Sequence, residues 1–140
     1  QLNYTYVDSQ IQYLTSTGAS AQKTDLTGLS KHSWNATVFY EGKRFSGRVS
    51  ATNRDDYLIQ VPGTEIGFDS AGNGVHGQSG TTTIDASVRW KIDDQFEVSL
   101  EGINLTNEAQ ESWVANPSLQ LPLEYAETGR QFLLGLRYKF

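Results

Sequence analysis

Residues 132–140 of this 140-residue chain read FLLGLRYKF. In a β-strand alternate side chains point to opposite faces, so one face of this segment would carry only apolar residues. Those residues are Phe132, Leu134, Leu136, Tyr138 and Phe140. The other face would carry Arg137 and Lys139. An apolar face with aromatic residues at both ends, opposite a polar face, is typical of a transmembrane β-barrel strand. A strand of a soluble sandwich can alternate in the same way.

Composition narrows the class of protein. The 140 residues suffice for one domain, and the absence of cysteine excludes disulfide and thiolate chemistry. A net charge of −5 argues against nucleic acid as a partner. No apolar stretch approaches the roughly 20 residues of a membrane helix. Thirteen glycines, seven tyrosines and many Ser, Thr and Asn residues favour an all-β protein with polar loops.

Alternation of apolar and polar residues predicts about six strands. The first segment has tyrosines of both parities, at Tyr4 and Tyr13, and therefore requires a bulge or two partly apolar faces. In the fifth segment the parity changes at Gly102, which predicts a glycine bulge. The predicted strands are residues 2–14, 32–41, 45–52, 81–92, 96–105 and 132–140.

The connections between these strands alternate in length. Residues 15–31, 55–80 and 106–128 are long and polar, whereas residues 42–44 and 93–95 are tight turns. An antiparallel up-and-down meander places all long loops at one end, as in outer-membrane barrels. Bacterial single-chain barrels have at least eight strands. We therefore interpret residues 1–140 as one region, the carboxyl-terminal portion of a larger barrel, without the barrel's other strands.

The polar faces of the predicted strands carry charges that we expect to face the lumen of such a barrel. They are Arg48, Asp85, Arg89, Glu97, Glu101 and Arg137. Charges would be costly inside a small dry barrel unless each were paired, but a wide, wet lumen accommodates them. Arg48, Arg54 and Arg89 either attract an anionic substrate or pair with these carboxylates.

No residue pattern indicates catalysis, a metal site or a cofactor. His32 and His76 lack the spacing of metal ligands or of a nucleophile and its base. Asp93 and Asp94 are adjacent and fit a turn better than an acid and base pair. The glycines of residues 71–80 precede a strand rather than a helix, so they do not form a phosphate-binding loop. We expect the protein not to be an enzyme.

The long loops carry the best candidates for ligand contact, because binding residues concentrate on loops. Arg54, Tyr57, Trp113 and Tyr125 are the candidates, and Phe68 is a further loop aromatic. Aromatic faces beside polar residues suit a sugar or an aromatic chelator. The alternative is that these side chains form an interfacial girdle or pack the loops together.

Three runs of sequence resemble one known family. Residues 30–57, 81–108 and 127–140 are similar to the carboxyl-terminal strands of TonB-dependent outer-membrane receptors. The likeness lies in a hairpin with a tyrosine, a glutamate and a short polar turn, and in the pair Asn104 and Leu105 that ends a later strand. It also lies in a Gly-Arg pair that leads to the terminal Phe140.

The resemblance implies a bacterial outer-membrane location and a role in transport. Such receptors are 22-stranded barrels closed by an amino-terminal plug, and they import a scarce nutrient, such as a siderophore or carbohydrate, when TonB pulls on the plug. The implied partners are outer-membrane lipid, the small-molecule nutrient and the barrel-assembly machinery. That machinery would read the apolar face ending at Phe140. The plug is absent from this chain, so TonB would act only through that missing domain.

Two alternatives stay open at the level of sequence. The chain could be a soluble β-sandwich that binds carbohydrate, with its apolar stripes meeting in a dry core. It could also be a barrel fragment without independent activity, whose unprotected strand edges pair between molecules.

Overall fold

The computed structural model describes residues 1–14, 21–60, 75–116 and 119–140. Over these ranges the regular structure is entirely β-strand, and none of these residues forms a helix long and apolar enough to cross a membrane. The strands are β1 (Leu2–Tyr6), β2 (Ile11–Leu14), β3 (Ala21–Thr24), β4 (His32–Glu41), β5 (Phe45–Arg54), β6 (Tyr57–Gln60), β7 (Val75–Gln78), β8 (Thr81–Lys91), β9 (Phe96–Ile103), β10 (Ala109–Asn116), β11 (Leu119–Glu127) and β12 (Gln131–Tyr138).

The largest sheet contains six antiparallel strands in the order β1-β4-β5-β8-β9-β12. The predicted all-β meander of six strands is therefore confirmed. The pairing of β5 with β8 runs without interruption from Phe45 opposite Trp90 to Arg54 opposite Thr81. Because side chains alternate along every strand, this continuous register fixes which residues share a face.

Two tight turns set the register of the sheet. Between β4 and β5, the amide of Gly42 donates to the carbonyl of Phe45 at 2.8 Å. Between β8 and β9, the Asp93 carboxylate accepts hydrogen bonds from the amides of Gln95 and Phe96, at 2.8 and 2.7 Å. An aspartate that bonds the amides ahead of it closes a turn locally. Both hairpins are therefore specified by short stretches of sequence.

The long connections contain strands that the sequence analysis assigned to loops. Strands from the second and third connections form a four-stranded sheet in the order β11-β10-β7-β6, and β3, in the first connection, pairs with β2 in a separate hairpin. The prediction of one strand over residues 2–14 is wrong, because β1 ends at Tyr6 and β2 pairs with β3 instead. The two tyrosine parities thus belong to strands in different sheets.

The predicted glycine bulge is also wrong. Gly102 pairs in register with Ala86 on one side and Phe132 on the other. The irregularity lies two residues later, at Asn104, whose φ is +53°. Beyond it the amide of Leu105 donates to the carbonyl of Ile84 at 2.8 Å. The change of parity therefore comes from an asparagine in the left-handed region, which asparagine tolerates better than most residues.

The six-stranded sheet has little hydrophobic core of its own. Among the described residues the buried apolar side chain is Val114, in the four-stranded sheet, at 4% exposure. On the six-stranded sheet large apolar side chains remain exposed, such as Val38 at 76% and Leu134 at 69%. Exposed apolar surface of this extent marks a surface that contacts another molecule or a membrane.

Candidate functional site

The six-stranded sheet has one apolar face that crosses every strand. Residues directly opposite one another in an antiparallel pair share a face, so the register identifies its members. They are Leu2 and Tyr4 of β1; Trp34, Ala36, Val38 and Tyr40 of β4; Phe45, Val49 and Ala51 of β5; Ile84, Ala86, Val88 and Trp90 of β8; Phe96, Val98 and Leu100 of β9; and Phe132, Leu134, Leu136 and Tyr138 of β12. The terminal Phe140 follows β12, and its ring packs edge-on against Tyr138 with centroids 5.4 Å apart.

Aromatic residues occupy both ends of this apolar face. At the tight-turn end Phe45 lies opposite Trp90, and Tyr138 lies opposite Phe96. At the long-connection end Tyr4 lies opposite Trp34, and its hydroxyl and the Nδ1 atom of His32 share a 2.6 Å hydrogen bond.

The distance between the two aromatic belts can be compared with the height of the apolar band of a membrane barrel. Along β4, Trp34 and Tyr40 are six residues apart, which is roughly 20 Å of extended chain. The apolar band of an outer-membrane barrel is about 25 Å tall and is bordered by aromatic girdles. The apolar face therefore has the composition of a lipid-facing surface, with aromatic residues at both borders, and a length of the same order as that band.

The opposite face carries the six charges that the sequence analysis placed together. In one row across three strands Lys91 lies opposite Glu97, and Glu97 lies opposite Arg137. The Nε atom of Arg89 lies 3.4 Å from Oε1 of Glu97. The other predicted charges, Arg48, Asp85 and Glu101, share this face. The register thus brings all six side chains to one surface.

Two of the candidate ligand-binding residues lie in contact. The guanidinium of Arg54 stacks over the ring of Tyr57, 3.8 Å from its centroid. Its Nε donates to Oγ of Ser30 at 2.8 Å, and its Nη2 donates to the carbonyl of Gly28 at 2.7 Å. The amide of Gly28 in turn donates to the carbonyl of Leu58 at 2.7 Å. Arg54 therefore holds the first and second long connections together, beside a cleft of about 160 Å³.

Trp113 lies away from this pair. It is opposite Gly77 in the pairing of β10 with β7, and its ring covers that glycine so closely that a Cβ atom there would collide with it. Tyr57 pairs with Gln78, the neighbour of Gly77, and so lies on the other face of the four-stranded sheet. The structure therefore does not bring Trp113 and Tyr57 to one site.

Tyr125 occupies the edge strand of the four-stranded sheet and is 62% exposed. Its hydroxyl donates to Oε2 of Glu127 at 3.3 Å. The negative charge of Glu127 is the main cause that raises the pKa of Tyr125 above 10.0, and burial, the hydrogen bond and the charge of Glu111 act in the same direction. Phe68, the further loop aromatic, lies outside the described residues.

Asn104 lies at the centre of a hydrogen-bond network that was not predicted from the sequence. Its Nδ2 atom donates to the carbonyls of Glu108 at 3.0 Å and Gly129 at 3.2 Å. Its Oδ1 atom accepts from the amide of Glu108 at 2.8 Å and the hydroxyl of Thr106 at 3.3 Å. Its amide donates to Oδ1 of Asp85 at 2.8 Å.

One buried amide side chain thus joins both ends of the third long connection to the six-stranded sheet. Asn104 itself is 8% exposed. The signal in the sequence was the pair Asn104 and Leu105, which contributed to the family resemblance without a physical role. An asparagine that directly follows an apolar strand and precedes a polar turn is a candidate for such a side-chain cap.

The described residues show no arrangement typical of catalysis. His32 lies in the six-stranded sheet beside Tyr4, and His76 lies in the four-stranded sheet opposite Val114. No group of three or more His, Asp or Glu side chains in the described ranges is placed to hold a metal ion.

Together these features define a segment of β-barrel wall that has one apolar face, one charged face and additional strands in its long connections. Residues 1–105 match the sequence family described as TonB dependent receptor-like, beta-barrel. The match covers more than half of the chain, so the chain belongs to the TonB-dependent receptor β-barrel family. This is an outer-membrane transporter family. The comparisons with curated proteins and with solved structures gave no match.

Proposed function

We propose that this chain forms part of the wall and outer loops of an outer-membrane receptor that takes up a small nutrient with energy from TonB. The observation that carries the proposal is the division of the six-stranded sheet into an apolar face with two aromatic belts and a charged face. In this arrangement the apolar face contacts outer-membrane lipid and the charged face lines an aqueous lumen.

The long connections support a role in binding the nutrient. All three leave the same end of the sheet, and their strands build the four-stranded sheet and the β2–β3 hairpin there. Of the four candidate residues, Arg54 and Tyr57 form the contacting pair that borders a cleft, so we propose that pair as the first ligand contact. We assign Trp113 to packing of the four-stranded sheet because it covers Gly77.

The alternative of a soluble carbohydrate-binding sandwich requires a second sheet over the apolar face. In the described part of the chain, strands that contact one another extensively belong to the same sheet in every case. We also propose that the barrel-assembly machinery binds the apolar residues at the end of β12 during membrane insertion, and the exposure of these side chains supports this proposal.

The membrane placement is tested by the chain's three tryptophans. Trp34 and Trp90 lie on the apolar face, whereas Trp113 lies in the four-stranded sheet. Three variants, each retaining one tryptophan and carrying phenylalanine at the other two positions, are folded into vesicles of lipids brominated on their acyl chains. Bromine quenches indole fluorescence only on contact.

We expect quenching of Trp34 and Trp90, with Trp113 protected as the internal control. Equal fluorescence of all three tryptophans in brominated and ordinary lipid would refute the membrane placement. Equal quenching of Trp113 would refute the assignment of the long connections to the aqueous side.

Transport itself is tested in cells. Uptake of radiolabelled iron chelates and oligosaccharides is compared between cells with and without the gene that encodes this chain, in the presence and absence of TonB. We expect one class of nutrient to lose uptake in both deletions. Unchanged uptake of every nutrient in the gene deletion would refute a transport role while leaving the membrane placement intact.

A further inference from the structure

The charged face has a basic trough at its tight-turn end. This trough, of about 450 Å³, lies between the two tight turns and the end of β12. Its basic side chains are Lys43, Arg44, Arg89, Lys91, Arg137 and Lys139. They are six of the eleven basic residues of the chain, whereas only three of its sixteen acidic residues line the trough. Positive charge is therefore concentrated there in a chain whose net charge is −5.

Two of the three carboxylates in the trough are already engaged. Glu97 lies 3.4 Å from Arg89, and its side chain is 17% exposed. Asp93 accepts two amide hydrogen bonds within its own turn. Asp94 is the third carboxylate. In the described part of the chain, the five basic side chains other than Arg89 have no carboxylate within 4.0 Å.

The sheet register explains why the local charge is not balanced. Lys91 and Arg137 flank Glu97 on the two neighbouring strands, and side chains directly opposite one another have Cβ atoms about 5 Å apart. With Arg89, a single carboxylate thus faces three cations. The six basic residues of the trough face three carboxylates among its lining residues, so an anion that enters it meets an excess of positive charge.

The extent of the trough indicates the size of its ligand. The basic residues lie in the β4–β5 turn, on β8 and at the end of β12, and β9 lies between the last two strands. Strands lie about 4.8 Å apart, so this row spans roughly 15 Å. A single phosphate or carboxylate would contact only part of it, whereas four or five residues of extended polypeptide cover the same length.

We propose that the basic trough binds an acidic polypeptide segment, rich in aspartate and glutamate, that lies across the strands. This inference goes beyond the proposed function. It requires only the charged face and its basic residues, and the proposed membrane orientation merely adds that the segment arrives from the side of the short turns.

The test uses the whole chain in zwitterionic detergent and a fluorescein-labelled peptide of ten glutamates. Fluorescence anisotropy measures binding at low ionic strength, where surface charges are least screened. The trough variant carries Lys91→Gln and Arg137→Gln. A second trough variant carries Lys43→Gln and Arg44→Gln in the tight turn, where both residues are exposed. The control carries Lys23→Gln and Lys31→Gln, the same change of charge near the long connections.

We expect the peptide to bind the unaltered chain and to bind each trough variant roughly tenfold more weakly, since two exposed charge contacts are removed. The control variant should bind as the unaltered chain does. Failure of the peptide to bind, or equal weakening in all three variants, would overturn the proposal. Displacement of the peptide by millimolar inorganic phosphate, but not by sodium chloride of the same ionic strength, would also overturn it, because the trough would then be a site for a small anion.

Discussion

The substitution Asn104→Gly isolates the energy of the side-chain network that fixes the third long connection. Glycine adopts the φ of +53° without strain. The entropy that glycine adds to the unfolded chain is shared by the control Asn107→Gly, so the difference between the two variants reports the side chain. The substitution removes two donated and two accepted hydrogen bonds. A hydrogen bond contributes about 1 kcal/mol net, and backbone groups left without a partner in a buried site cost more. Because water replaces part of the network, we expect the free energy of unfolding to fall by about 2–4 kcal/mol.

Asn107→Gly is the matched control. Asn107 also has a positive φ, of +56°, and its side chain donates a single exposed hydrogen bond, to Glu127. It should cost less than about 1 kcal/mol. The assay is urea unfolding of each variant in lipid vesicles, with amide hydrogen exchange at Glu108 as a local readout. If Asn104→Gly cost no more than Asn107→Gly, the network would have no special part in stability.

Two further predictions concern a face of the sheet and a titrating group. Leu134→Arg places a charge on the apolar face and should destabilise the chain in lipid by about 2–4 kcal/mol. The control Leu133→Arg places the same charge on the charged face, opposite Glu101, and should be nearly neutral. Equal effects of the two substitutions in urea unfolding would contradict the assignment of faces. Because Glu127 raises the pKa of Tyr125, the phenol ionises at a higher pH than a free tyrosine, and its hydrogen bond is lost as the pH rises through the raised pKa. Glu127→Gln should lower that pKa towards 10.0, as measured by NMR of the labelled tyrosine ring carbon, and an unchanged titration would contradict the electrostatic cause.

The strands of the barrel wall could be predicted from sequence because one face of each strand must be apolar and the other polar. That requirement imposes strict alternation, as in β8, where Ile84, Val88 and Trp90 share a parity. The tight turns were equally visible, since Asp93 and Gly42 carry local turn chemistry. In these segments local and overall preferences agree, so the pattern predicted the strands, apart from the extension of the first strand to residue 14.

The strands of the long connections could not be predicted because they obey weaker constraints. Pro122 lies within β11, and a proline ordinarily argues against a strand. It is tolerated here because β11 is an edge strand that pairs with β10 on one side only. The glycine-rich sequence of β7 did not indicate a strand. Its Gly77 is required because the ring of Trp113 leaves no room for a Cβ atom. Both exceptions depend on tertiary contacts that the sequence does not display.

The candidate site was predictable in its surfaces but less so in its contacts. The alternation of residues along the strands predicted that all six charges share one face, and the register shows that they do. It could not reveal that Arg54 stacks on Tyr57, because that contact depends on how the chain passes from β5 of one sheet to β6 of another. Nor could it separate Trp113 from Tyr57, since the face of a loop strand depends on pairing with partners far away in sequence.

The unequal connections also determine how quickly different parts of the sheet can assemble. The β4–β5 and β8–β9 hairpins have turns of three and four residues, and hairpins of this kind form in about 1–10 μs. Pairing of β5 with β8, and of β9 with β12, must first close a long connection, which costs chain entropy before any contact forms. The sheet should therefore assemble by docking of two ready-made hairpins. The terminal strand β12, despite its strongly apolar face, is then among the last strands to pair with the sheet.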